Sequence, residues 1–233
     1  MELDIVPRNV AKLVELPKQI NKEMDVLDED ESRRFLEAAQ PERLQTMFSV
    51  AVSTGMRPEE YLALQWKDVD LERKTAGIRR VLIRVAGQKW FFSEPKTKSS
   101  TRTITLPIGL VGEIRAHRKR QAAERMRLGP AWTNHDLIFP SELGTPLTHS
   151  NITQVFKRIL RRAGLRTSLR LYDLRHTHAT LLLKADVHPK IVSERLGHST
   201  ISLTLDVYSH VLPSMQEKAA DQIDMMLYSR IAS

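Results

Sequence analysis

The sequence predicts a mainly helical domain carrying one small, three-stranded antiparallel β-sheet on one side. Three observations lead there. Most of the chain repeats its apolar residues at the helical interval, between Pro or Asp starts and Gly stops. One block, from Ala76 to Leu106, runs instead in short stretches rich in β-branched and aromatic residues. The length of 233 residues, with 41 % hydrophobic and 27 % charged, is enough to bury a core and too balanced for disorder.

Residues 1–23 hold Pro7, Pro17 and scattered charges without a period, and read as a linker or the tail of something upstream; the folded unit is expected over 24–212. Asp28 and Glu31 form a D-x-x-E pair ahead of Phe35, Leu36 and Ala39, the pattern of a capping box, so a helix is expected over 28–39. Pro41 opens a second helix, whose apolar face of Leu44, Met47, Phe48, Ala51 and Val52 ends at Gly55. Pro58 starts a third at once, through Tyr61, Leu62 and Leu64, which leaves Arg57 at a helix-to-helix corner, where a side chain can point into a cleft. The stretches IRRVLIRVA, QKWFFSE and TRTITLP predict the three strands, with Lys96 and Lys98 in the second hairpin. Pro107 opens a long basic helix to Leu128, stopped by Gly129-Pro130, and LIFP precedes a loop with Gly144 and Pro146. Further helices are expected over 149–163, 172–184, 189–196, 200–209 and 213–229, the last forming a C-terminal tail over 213–233.

Composition excludes several classes of function. There is no Cys, hence no disulfide framework, thiolate metal site or cysteine nucleophile, and a reducing compartment is expected. No apolar run nears the roughly 18 residues of a membrane span, so the expectation is a soluble, cytoplasmic protein. The 36 Lys and Arg outnumber the 28 Asp and Glu by eight, which suggests a polyanionic partner, nucleic acid first. Two fields concentrate that charge. One runs from Arg115 to Arg127 with the single acid Glu124; the other runs from Lys157 to Arg175 with the single acid Asp173. The second is the better DNA candidate, and Lys157, Arg158, Arg161 and Arg162 on the 149–163 helix are its expected contacts, mostly to phosphate.

The chain has no G-x-x-x-x-G-K-[ST], G-x-S-x-G or H-E-x-x-H motif and no carboxylate cluster of the two-magnesium kind. His176 and His178 alternate on a helix and face apart, so they do not make a metal site, and no cofactor is expected. What remains is a series of polar residues in distinctive contexts: Arg57 in STGMRPEEYLALQW, Lys96 in PKTKSSTRTITLP, Arg175 in LYDLRHTHATLL, His198 in RLGHST and Tyr208 in LTLDVYSH. Metal-free phosphodiester cleavage needs a nucleophile, cationic donors for the phosphoryl oxygens and an acid for the leaving oxygen. Two Arg forks suit the non-bridging oxygens in a way Lys does not, and Arg57 and Arg175 are the candidates.

In order and in context, these motifs resemble the catalytic domain of the tyrosine recombinases, the phage and transposon integrase family, from about residue 24 to the mid-210s. The resemblance implies a mostly α domain with a small sheet and the joining of DNA strands in site-specific recombination, without ATP or metal. It implies Tyr208 as the nucleophile of a 3′-phosphotyrosyl link, Lys96 as general acid to the 5′-hydroxyl, and His198 as a phosphate donor. Glu60 would steady the cations and His176 would buttress the site from behind. One position departs from the family, which usually has His three residues before the second Arg; here it is Tyr172. A phenol with a pKa near 10 is a poor base at neutral pH, so the base role is expected to be weakened or redistributed. The family also implies double-stranded DNA as partner, a homotetramer on two sites and accessory DNA-bending or directionality proteins. Leu212, Met215, Ile223, Met226 and Leu227 fit a C-terminal segment that packs either on a neighbour or on its own domain. Two other readings stay open at this stage: a non-catalytic DNA-binding module of the same fold, and single-duplex relaxation of the type IB topoisomerase kind.

Overall fold

A computed structural model of the protein describes residues 25–84, 90–208 and 214–228. The first helix, α1 (Glu29–Ala39), starts where the sequence places a cap. The Asp28 side chain accepts from the Glu31 amide at 2.8 Å, and the Glu31 carboxylate accepts from the Asp28 amide at 3.0 Å. Residues 41–44 form turns, so α2 (Gln45–Thr54) begins one turn later than Pro41 predicts. Gly55, with φ of 65°, ends α2 in the left-handed region that favours glycine. Pro58 occupies the first turn of the short helix α3 (Pro58–Tyr61), which stops before the expected Leu64.

The expected sheet block divides into two. Its strands are β1 (Val69–Asp70), β2 (Thr75–Ile78), β3 (Val81–Ile83), β4 (Phe91–Ser93) and β5 (Arg102–Thr105). The three-stranded antiparallel sheet runs β1-β2-β5, with Ala76 opposite both Val69 and Ile104, and β3 pairs with β4 in a separate ribbon. The stretch IRRVLIR is thus one run in sequence and two strands in space. It breaks at Arg79-Arg80, where Arg80 turns to pair with the buried carboxylate of Asp68.

Helices α4 (Ile108–Leu128), α5 (His149–Arg162), α6 (Asp173–Lys184), α7 (Pro189–Leu196), α8 (Ile201–Tyr208) and α9 (Ser214–Leu227) follow close to the expected spans. Nearly all of α2 is buried, and it packs against α1, α4 and α6. Phe35, Phe48 and Phe156 bring α1, α2 and α5 together, with ring centroids 5.6 to 6.1 Å apart. Trp66 packs at the edge of this core and donates to Gln121 at 2.6 Å. A second apolar cluster, Ala179, Leu183, Val192, Leu196 and Tyr208, sits among α6, α7 and α8. Among the described residues no helix is long and apolar enough to cross a membrane.

Candidate active site

The α2–α3 corner puts Arg57 beside Glu60, one helical turn on. Glu60 Oε2 accepts from the Arg57 amide at 2.8 Å, and Oε1 accepts from the Arg57 guanidinium at 2.9 Å. A second guanidinium, Arg102 on β5, donates to both carboxylate oxygens at 3.0 Å. Burial alone would push Glu60 up, but the Arg102 fork, the Arg57 amide and the Arg57 charge together hold it below the usual carboxylate range. Arg102 also donates to the Arg195 carbonyl at 2.6 Å, which ties β5 to the end of α7.

Arg175, on the first turn of α6, is 1 % exposed and is held by two backbone carbonyls. Its Nη1 donates to Gly55 and its Nη2 to Leu196, each at 2.7 Å. A guanidinium has five N–H groups, so three are left for a ligand. Burial first, then the nearby charge of Arg57, pushes its pKa down to about 10, and it stays a cation at neutral pH. The carbonyl of Gly55 can come this close because its residue lacks a side chain: a Cβ there would lie 2.6 Å from the His178 ring. His178 donates through Nδ1 to the Val52 carbonyl at 2.9 Å, and so faces α2.

Gly197, at φ of 68°, turns the chain from α7 into the segment that carries His198. The buried Thr204 hydroxyl lies 2.8 Å from His198 Nδ1; when that hydroxyl donates to Nδ1, the neutral ring carries its proton on Nε2. Burial, with the charges of Arg175, Arg57 and Arg102, pushes His198 down to about 4, so it is a neutral donor at pH 7. Arg57, Lys96 and His198 line one cleft of about 360 Å³, with Glu60, Thr97, Ser100 and Leu203 among its walls. Lys96 stands exposed on the turn between β4 and β5, at the rim. The side chain of Lys98, the alternative lysine, lies outside the described residues.

Tyr208 ends α8 with its ring buried in the second apolar cluster and its hydroxyl 2.8 Å from His176 Nδ1. Burial raises its pKa, against the pull of Arg175. The Tyr172 ring also meets His176, edge to face at 5.2 Å, and is 39 % exposed. His176, expected as a buttress of the site, thus contacts both tyrosine rings and touches the expected nucleophile.

Of the positions read from sequence, Arg57, Glu60, Lys96 and His198 line one cleft, while Arg175, Tyr172, His176 and Tyr208 are not among its lining residues. Sequence reasoning missed Arg102, which lay in a stretch read only as a strand; its place within TRTITLP gave no hint of a partner at Glu60. On α5 the expected DNA contacts have internal partners. Arg158 and Arg162 pair with Glu42 at 2.5 and 3.0 Å, and Lys157 donates to the Thr167 and Leu169 carbonyls. Arg161 is exposed. His176 and His178 face apart, as expected, and no group of three or more metal-ligating side chains is found among the described residues.

The sequence matches the phage integrase family over residues 25–215. A XerC-like tyrosine recombinase of Caldanaerobacter subterraneus subsp. tengcongensis is 34 % identical over 218 residues, covering 89 % of this chain and 56 % of that protein. The ICEBs1 integrase of Bacillus subtilis is 30 % identical over 226 residues, covering 96 % of this chain and 61 % of that one. The chain therefore spans less than two thirds of either relative. Among solved structures, the Tn1549 transposon integrase in complex with circular intermediate DNA shares the fold with a TM-score of 0.75 at 20 % identity, over 93 % of this chain and 72 % of that one. The XerH site-specific recombinase bound to palindromic difH substrate superposes with a TM-score of 0.61 at 28 % identity, over 86 % of this chain and 53 % of that one.

Proposed function

The chain belongs to the phage integrase family of tyrosine recombinases, and on that premise we propose that it cleaves and rejoins DNA strands in site-specific recombination through a 3′-phosphotyrosyl link at Tyr208. The observation that carries this reading is the convergence of Arg57, Lys96 and His198 on one cleft, with Arg175 buried behind them and Tyr208 beside it.

In this reading Arg57 and the three unused N–H groups of Arg175 hold the non-bridging oxygens, with charge-assisted bonds that strengthen as the phosphorane forms. His198 adds a neutral donor through Nε2. The Tyr208 oxygen bonds to phosphorus as the P–O5′ bond breaks, and Lys96 gives the departing 5′-oxygen its proton. One phosphodiester replaces another, so no nucleotide is hydrolysed, and the 5′-hydroxyl of a partner strand reverses the step. Because guanidinium and ammonium groups supply the positive charge, the step calls for no metal ion. Double-stranded DNA is the substrate, a homotetramer spanning two sites is the working unit, and accessory DNA-bending or directionality proteins act with it. Lys157, Arg158, Arg161 and Arg162 are proposed as phosphate contacts. Arg161 is exposed, and the half-exposed Arg158 and Arg162 can trade Glu42 for phosphate because such surface pairs are worth only about 0–1 kcal/mol.

The test is covalent trapping. A nicked suicide duplex, recovered from a random-core pool by its denaturant-resistant retention on the protein, is incubated in EDTA with the parent and with Tyr208→Phe. The expected result is a protein–DNA adduct with the parent and none with the variant. Equal behaviour of the two would support a non-catalytic module, and supercoil relaxation without recombined product would support the topoisomerase reading.

A further inference from the structure

We propose that His176 takes the phenolic proton of Tyr208 when the tyrosine attacks, the role that Tyr172 cannot fill. The inference rests on the phosphotyrosine reading above and deepens it. His176 Nδ1 lies 2.8 Å from the Tyr208 oxygen, a distance at which a proton passes directly. Among the described residues that imidazole is the hydrogen-bond partner of the hydroxyl. The other two imidazoles nearby are committed elsewhere, His178 to the Val52 carbonyl and His198 to Thr204. Tyr172 packs against the same ring, so the residue that departs from the family pattern is itself placed against the group that replaces it.

The surroundings keep His176 in the form a base needs. Burial lowers its affinity for a proton; Asp173 on the same turn works against this, while Arg175 and Arg170 reinforce it. Tyr172 and Tyr208 are the other titratable groups on its faces, and His198 stands across the cleft within its electrostatic reach. The net result is a neutral imidazole at pH 7. Its partial burial, with the rings of Tyr172 and Tyr208 against it, limits the access of bulk water to the transfer.

The proton inventory closes. On attack the Tyr208 oxygen bonds to phosphorus, its proton moves to His176 Nδ1, the P–O5′ bond breaks and Lys96 protonates O5′. On rejoining, the new 5′-hydroxyl gives its proton to Lys96, the P–O bond to Tyr208 breaks, and His176 returns the proton to the phenolate. No outside oxidant, metal or co-reactant enters.

The experiment compares the parent with His176→Asn, whose side-chain oxygen can still accept from Tyr208 but cannot hold a proton. Adduct formation is followed on the nicked suicide duplex over pH 5 to 8. Ligation of a strand ending in a 3′-(4-nitrophenyl) phosphate is followed in parallel in a Tyr208→Phe background, with His176 and with His176→Asn, because nitrophenolate leaves without a proton and that background has no tyrosine to attack. The proposal expects adduct formation to fall by about 10²- to 10⁴-fold. The parent-to-variant ratio should shrink as acid protonates His176 in the parent, and nitrophenyl ligation should stay within about threefold. A His176→Asn rate within about fivefold of the parent, or a ratio that does not change with pH, would overturn the assignment. Equal loss of nitrophenyl ligation would overturn it too, by tracing the defect to the phosphate site. Absence of any adduct with the parent would instead overturn the phosphotyrosine chemistry.

Discussion

His176, His178 and His198 are put to three uses, and the differences come from what each ring touches. His178 is 5 % exposed and donates to a backbone carbonyl of α2, so charging it means breaking a buried contact; burial holds its pKa at about 4. The unfolded chain binds a proton there near pH 6.5, the folded chain does not, and stability must fall as pH drops between those values. For a shift of that size the loss from pH 7.5 to 5 is about 2 kcal/mol. Urea unfolding of the parent and of His178→Asn across that range checks it: the variant should lose that share of the slope, and an unchanged slope would show that His178 is not its source. The spacing from Arg175 to His176 and His178 is plain in the sequence, and the opposed directions of the two rings follow from helical geometry alone. The contact of His176 with Tyr208 does not, because it joins positions 32 apart through the way α8 folds back over α6.

At the scale of elements, the cleft depends on three short pieces, α3, β5 and the end of α7, joined by one guanidinium. Arg102 spans Glu60, the Ser100 carbonyl and the Arg195 carbonyl, and a Cβ at Gly197 would meet its Nη1 at 2.8 Å. The Arg102 and Glu60 side chains are only 8 % and 1 % exposed, so their pairing is dry and its geometry matters. Arg102→Lys keeps the charge but cannot fork to both carboxylate oxygens while also reaching α7. It should lower unfolding stability by about 1–3 kcal/mol, the cost of leaving buried acceptors unmet. Adduct formation should fall further than stability accounts for, because Glu60 then holds Arg57 less firmly; denaturant melts beside cleavage rates measured well below the melting point separate the two effects. Helix boundaries were legible in the sequence because Asp28, Pro58, Gly55 and Gly197 act locally on the backbone. The strands were less so. β1 has two residues, too few for a pattern, and the division of IRRVLIR at Arg79-Arg80 is set by Asp68, whose pairing with Arg80 no local rule contains.

Over the whole molecule, the excess of eight positive charges overstates what is open to a polyanion. Arg166 pairs with Asp25 and Glu31, Arg170 with Asp173, and Arg158 and Arg162 with Glu42, so much of the second basic field is answered from within the fold. The apolar surface has the opposite character. The described side chains of α9, from residue 220 to 228, are exposed, with Ile223, Met226 and Leu227 at 52 %, 73 % and 60 %. Leu212 and the Met215 side chain lie outside the described residues, but those three sit three and four positions apart on one helical stripe. Such a stripe left in water is the mark of a surface that a partner covers. A second copy of the chain fits the tetramer proposed for strand exchange. The double variant Ile223→Glu, Met226→Glu should therefore assemble poorly on paired duplexes by sedimentation and yield little recombined product. Its unfolding midpoint should stay within about 0.5 kcal/mol of the parent, because the stripe supports no core of its own. A clear loss of monomer stability with assembly unchanged would mean instead that the stripe closes over its own domain.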